Sequence, residues 1–213
     1  MNEFNVGRAF PATPANVALM QLWIATRHVL VLQRALLAKP GPDVVEHEQF
    51  LHTFLAITAT LKEAADAFRV VDSLGRFSVV SADLSAELSL ARRECAESNP
   101  SSLHKQVLVR LRNTAGAHFG GTLIQRGLSA LSSQSLQLRI GGTSFFESTF
   151  PLATSLVENI LETHGIKQQD ALRLFPAIIN LGSALQKIAD AVVTIAAQQD
   201  ASADGLQKSV AGG

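Results

Sequence analysis

Between Thr13 and Gly75 the chain carries two long amphipathic repeats separated only by Pro40-Gly41-Pro42, and that arrangement leaves few folds open. Thr13-Pro14 reads as a helix start: a hydroxyl cap, then a proline where a missing N–H costs nothing. The helix should run to about Lys39, where the Pro-Gly-Pro break stops it. Val17, Met20, Ile24, His28, Val31 and Leu32, widened by Leu36, supply the apolar stripe expected to pack inward. Asp43 then opens a second helix, with Glu46 three residues on as its capping-box partner. Phe50, Phe54, Ile57, Leu61, Ala65 and Phe68 carry that helix to about Asp72, and Gly75 ends it. Two long helices joined by so short a break must turn back on one another.

The rest of the chain repeats this logic. Phe77 to Val80 is a connector. Ser81 or Asp83 caps a third helix through Leu88, Leu90, Ala91 and Cys95, stopped by Asn99-Pro100. Ser101 or Ser102 starts a fourth, in which Leu103, Val107 and Leu111 recur every four residues and Arg110 faces out. Thr122 to Leu131 allows a short helix. Leu136, Leu138 and Ile140 alternate with Gln137 and Arg139 before Gly141-Gly142, a hairpin signal with Thr143 to Phe150 returning. Pro151 opens a helix to about His164. The last helix runs from Asp170 to about Gln199, with Leu174, Ile178, Leu181, Leu185, Ile188, Val192 and Ile195 in alternating four-three spacing. That stripe serves either a core or a helix-to-helix dimer seam. Pro176 falls in its early turns, where a proline costs least. The fold expected is all-α, an antiparallel helical bundle with room for one small β-hairpin. Residues 1–12 read as a loose arm, 13–199 as one helical domain and 200–213 as a flexible tail.

Composition narrows the function classes. A chain of 213 residues with 47% hydrophobic residues and a formal net charge of zero reads as globular rather than as a bulk nucleic-acid coat. A local basic patch is still present in the sequence. Arg92, Arg93, Lys105, Arg110, Arg112 and Arg126 are set against only Glu94 and Glu97. The single cysteine, Cys95, excludes an internal disulfide framework, fits a cytoplasmic setting and reads as a small core hydrophobe. The apolar run from Trp23 to Leu37 is broken by Arg27, His28 and Arg34, which argues against a membrane span. No signal-peptide pattern opens the chain. His47-Glu48 and His52 invite a metal reading, but a spacing of five sets the two histidines roughly 140° apart on a helix, too far round for one ion. No metal or other cofactor is expected.

One stretch carries a constellation with chemical meaning. At the end of the fourth helix come Arg112 and Asn113, then Thr114, Ala115, Gly116 and Ala117, then His118, Phe119 and a Gly120-Gly121 break. These supply a fixed cation, an amide that can orient a neighbour, and a group that titrates near neutrality. The set suits phosphodiester chemistry. On a regular helix Arg112 and His118 would stand about 120° apart. Either the helix loosens at Gly116 or the site is completed by a second subunit.

Arg112-Asn113, four residues and His118, entered by an apolar helix and followed by an aromatic residue, resemble the signature of HEPN-domain ribonucleases over roughly residues 13–130. The resemblance implies a homodimer in which two copies of the motif meet across a cleft. It also implies RNA cleavage without metal, through the RNA's own 2′-hydroxyl. On that template His118 moves protons, Arg112 holds the scissile phosphate, Asn113 orients, and Lys105, Arg110 and Arg126 contact the RNA backbone. Toxins and defence effectors of the family add an antitoxin or other protein partner. A non-catalytic HEPN-like bundle that binds RNA, a nucleotide or a protein partner is the alternative. The plainest reading of the residues themselves is that Arg112 pairs with an acid on a neighbouring helix while His118 caps the helix end.

Overall fold

Thr13 does cap the first long helix. Its Oγ1 accepts the Asn16 N–H at 3.3 Å and its carbonyl accepts the Val17 N–H at 2.9 Å. The computed structural model describes residues 6–37, 43–109, 162 and 168–211. The elements are α1 (Val6–Ala9), α2 (Pro14–Leu37), α3 (Asp43–Ser73), 3-10 turns at Arg76–Val79 and Ala82–Leu84, α4 (Ser85–Cys95), a π-helical turn at His104–Leu108, and α5 (Gln168–Ala211). The described chain is 87% helical without a strand, so the fold is all-α. The expected short helix at 122–131, the hairpin at 136–150 and the helix opened by Pro151 lie outside the described residues.

Helix α3 follows its sequence closely. Phe54, Ile57, Leu61, Ala65 and Phe68 are all buried, and Phe50 packs on the core edge. The helix ends at Ser73, and Gly75 turns the chain at φ 68°, a left-handed conformation that glycine adopts without strain. Phe77 in the next turn then stacks on Phe68, with ring centroids 4.9 Å apart. The α5 stripe serves the core: Ile178, Leu181, Leu185, Ile188 and Val192 are buried.

Helix α2 buries a face only partly shared with the expected stripe: Met20 and Leu32 pack against the core, but Val17, Ile24 and Val31 do not. Val17, Ile24 and Val31 are 50%, 59% and 59% exposed, and His28 is exposed. The buried positions are Asn16, Ala18, Leu19, Leu22, Ala25, Thr26 and Val29. Both faces of this helix are apolar, so periodicity alone does not choose between them. Close approach does. Across from Val29, α5 places Gly182, where an added Cβ would stand 3.0 Å from Val29 Cγ1. Small residues on the inner face let the helices come near enough to fill the space between them. Trp23 Nε1 and Arg27 Nη2 each donate to Asp190 Oδ1 at 2.8 Å, which fixes α2 against α5. The guanidinium of Arg27 also lies 5.6 Å from the Trp23 ring centroid.

Residues 6–9 form a helical turn, and α5 continues to Ala211 through the residues read as a tail. Arg8 joins the two ends, its Nε 3.0 Å from Asp200 Oδ1. That pair spans most of the chain, so no local pattern announces it. The segments Pro14–Arg34 and Leu174–Asp200 are long and apolar enough to cross a bilayer by length and composition. Each also supplies core residues, and the Arg27–Asp190 pair links the two.

Candidate functional site

The helix that leads toward Arg112 is anchored at its start by a dense set of polar contacts. Ser102, fully buried, donates its hydroxyl to Ala96 O at 2.7 Å and accepts the Lys105 N–H at 3.2 Å. Glu94 Oε2 accepts the Leu103 N–H at 3.0 Å, placing a carboxylate at the positive end of the turn. Of the two serines expected as caps, Ser102 does the work. The preceding α4 starts at Ser85, where neither Ser81 nor Asp83 makes a side-chain cap, and stops at Cys95, ahead of Asn99-Pro100.

From His104 to Leu108 the backbone is π-helical. The wider turn buries Leu103, His104, Val107 and Leu108 together, so the inward face is broader than the four-residue stripe predicts. Lys105 stands exposed on the same turn. Single π turns recur at functional sites because they re-aim the residues that follow.

His104 is the residue that sequence reasoning missed, and it is the buried polar anchor of the turn. Its side chain is 1% exposed, and Nε2 lies 3.2 Å from Asp66 Oδ1 on α3. The fitting neutral tautomer carries its proton on Nε2 and donates it to Asp66, which leaves Nδ1 buried without a partner among the described residues. Asp66 also accepts from Lys62 and, at 2.7 Å, from Arg69 Nη2. Arg69 Nη1 faces Glu97 Oε2 at 3.1 Å, without the alignment of a hydrogen bond.

The electrostatics of this cluster follow from burial and partners. Burial lowers the His104 pKa below the usual 6.5. The Asp66 hydrogen bond pulls upward without cancelling that, and the Arg69 charge pushes down again. Burial alone would raise Asp66, but the hydrogen bonds from Lys62 and His104, with the charges of Lys62 and Arg69, hold it below 3.8. Near neutral pH the arrangement is therefore an ionised aspartate and a neutral histidine. Enclosed as it is, His104 cannot exchange protons with a bound substrate; it positions the turn. Asp66 also lines a cleft of about 550 Å³ between α2 and α3, beside Ile24, His28, Thr60, Glu63 and Val70.

The basic patch is weaker than its sequence implies. Arg92 forms a two-pronged pair with Asp72 at the end of α3, Nη2 to Oδ1 at 2.8 Å and Nε to Oδ2 at 3.1 Å. That bond raises the pKa of Arg92 further. Arg93 pairs with Glu94 at 2.8 Å. Asp72 lies 20 positions before Arg92, which is why reading the patch locally overlooks it. Of the cations expected to meet RNA, Lys105 is exposed on the π turn, while Arg110 and Arg126 lie outside the described residues, as do Arg112, Asn113 and His118. Leu103 and Val107 are buried as expected; Leu111, their third partner, is also outside. Among the described residues no cluster of three metal-ligating side chains occurs, and His52 is exposed. Comparison with protein families, with curated proteins and with solved structures finds no match to this chain.

Proposed function

We propose that the protein is a metal-independent endoribonuclease of the HEPN type, acting as a homodimer in the cytoplasm, in the manner of a toxin or defence effector. One observation carries the reading: in the sequence the Arg112-Asn113-x4-His118 set follows closely on a helical turn, His104–Leu108, whose base is locked into the core. Leu103, Val107 and Leu108 bury that base, and the His104–Asp66 bond ties it to α3. Such anchoring supports catalysis, because reacting groups held in place convert a random encounter into an oriented one.

The chemistry assigns one task to each residue. His118 takes the proton from a ribose 2′-hydroxyl, whose oxygen attacks the adjacent phosphorus. The bond from phosphorus to the 5′-oxygen breaks, that oxygen takes a proton from solvent water as it leaves, and His118 returns its proton to solvent. Arg112 holds the non-bridging oxygens as charge builds on them, a task its planar fork suits. Asn113 orients the histidine, while Lys105, Arg110 and Arg126 hold the flanking phosphates. Cleavage of single-stranded RNA in EDTA, yielding 2′,3′-cyclic phosphate and 5′-hydroxyl ends, tests the proposal. RNA with 2′-deoxy substitution must resist.

The ion pairs of Arg92 with Asp72 and Arg93 with Glu94 favour a second reading. With two patch arginines neutralised, the same fold suits a non-catalytic bundle that binds RNA, a nucleotide or a protein partner. Binding of RNA without cleavage distinguishes it.

A further inference from the structure

Parts of α1, α2 and α5 and the turn after α3 line a cleft of about 470 Å³, within the size range of small-molecule sites. Its apolar wall comes from Leu19 on α2 and Val192 and Ile195 on α5, with Val79 half-exposed beside it. The polar lining includes two arginines and one carboxylate, Arg8, Arg76 and Asp200. Asp200 is largely consumed by Arg8: the side chain is 8% exposed, and its two oxygens lie 3.0 and 3.4 Å from Arg8 nitrogens.

Arg76 is held differently. Its Nη2 donates to Asn16 Oδ1 at 2.6 Å, and Asn16, only 5% exposed, is itself fixed by donating Nδ2 to Pro11 O at 2.7 Å. A neutral amide orients the guanidinium without cancelling its charge, and among the described residues Arg76 meets no carboxylate. Among the described residues the charged lining therefore sums to a single positive charge beside an apolar wall.

We propose that this cleft binds a small organic monocarboxylate with an apolar tail, its carboxylate on the free edge of Arg76 and its tail along Leu19, Val192 and Ile195. The planar guanidinium matches a carboxylate in shape. One net positive charge matches a monoanion better than a phosphate monoester, which carries close to two negative charges near neutral pH. The inference is independent of Arg112 and His118, and loss or absence of RNA cleavage leaves it standing.

Calorimetric titration of the full chain with decanoate, below its micelle-forming range, tests the site. Decanoate should bind, and acetate and 1-decanol should bind much more weakly, because each lacks one of the two elements. Arg76→Gln should weaken decanoate about tenfold or more, the worth of a charge-assisted hydrogen bond. Val79→Asp is the second variant. It leaves the Asn16–Arg76 bond intact, adds a repelling charge to the cleft and should weaken decanoate in the same direction. Thermal unfolding of both variants confirms that they are folded. Acetate binding as tightly as decanoate, decyl phosphate binding more tightly, or decanoate affinity unchanged in both folded variants would overturn the proposal.

Discussion

His104 Nε2 lies 3.2 Å from Asp66 Oδ1, inside a turn whose histidine is almost completely buried. The two residues are 38 positions apart, yet their contact ties the π-helical turn to α3. Burial of the histidine and the hydrogen bonds on Asp66 make the fold sensitive to acid.

Stability should fall on acidification in two windows. The folded-state pKa of His104 is below 6.5, so between those values the unfolded chain binds more protons. Its contribution is complete above 6.5 and is lost as the pH falls through the lower folded value. Asp66, held below 3.8, contributes fully above 3.8 and loses that contribution as the pH falls through its own folded value. Urea midpoints measured from pH 8 down to pH 3, with each value buffered, give the profile. His104→Gln should flatten the upper window and shrink the lower one only in part, because Lys62 and Arg69 still hold Asp66 down. A wild-type midpoint that rises as the pH drops below 6.5 would contradict the sign.

The inner face of α2 can be tested by paired truncations. Leu22 is fully buried, and Leu22→Ala should cost about 2–5 kcal/mol, from lost transfer energy and the cavity left behind. Ile24 is 59% exposed, and Ile24→Ala should change stability by about 0.5 kcal/mol or less. Denaturant titration that ranked the two in the opposite order would restore the face marked by bulky residues.

That contrast shows where sequence reasoning succeeds and where it stops. The core face of α3, its glycine terminus and the α5 stripe could be read because a single period places every large apolar residue on one side. Helix α2 could not, since Val17, Ile24 and Val31 form as regular a row as Leu22 and its neighbours. The close approach of Val29 to Gly182 goes with the buried face, and hydropathy does not register closeness of approach. The partners Arg8 with Asp200, Arg92 with Asp72 and His104 with Asp66 are set by tertiary packing and leave no local trace. At the candidate site, the motif was readable as residue types at a spacing, and Leu103 and Val107 as its buried lead-in. The π turn was not, because the same residues fit an ordinary helix.

Gly182 should not tolerate a large side chain. A Cβ there would stand 3.0 Å from Val29 Cγ1 and 3.1 Å from Gln33 Nε2, both on α2. Gly182→Leu should push the helices apart and destabilise the fold by about 1–3 kcal/mol, an overpacking cost read from the urea midpoint. Unchanged stability would show that α2 and α5 do not meet there.

Cys95 should be inert while the protein is folded. Its side chain is 1% exposed, and burial pushes the thiol pKa up to about 12, leaving very little thiolate near neutrality. Iodoacetamide at pH 8 should label it only on the timescale of unfolding, and fully in denaturant. Rapid labelling of native protein, followed by mass spectrometry, would place Cys95 at the surface and α4 elsewhere.

The activity itself gives the last prediction. If His118 transfers the proton, His118→Ala should lower the cleavage rate by about 10²–10⁴-fold. Arg112→Ala should cost about 10²–10³-fold, as for removal of a group that stabilises developing charge. Lys105 is exposed on the π turn and its expected role is with phosphate, so Lys105→Ala should weaken RNA binding. It should also reduce the salt dependence of that binding and leave the rate at saturating RNA alone. His104→Gln is the informative comparison. His104 is enclosed and positions the turn, so its loss should lower the rate without shifting the pH profile that His118 sets. The profile is measured by single-turnover cleavage across pH 5 to 8 in EDTA. Cleavage that survives in His118→Ala would end the proposed mechanism, whereas a profile moved by His104→Gln would bring His104 into the proton transfer.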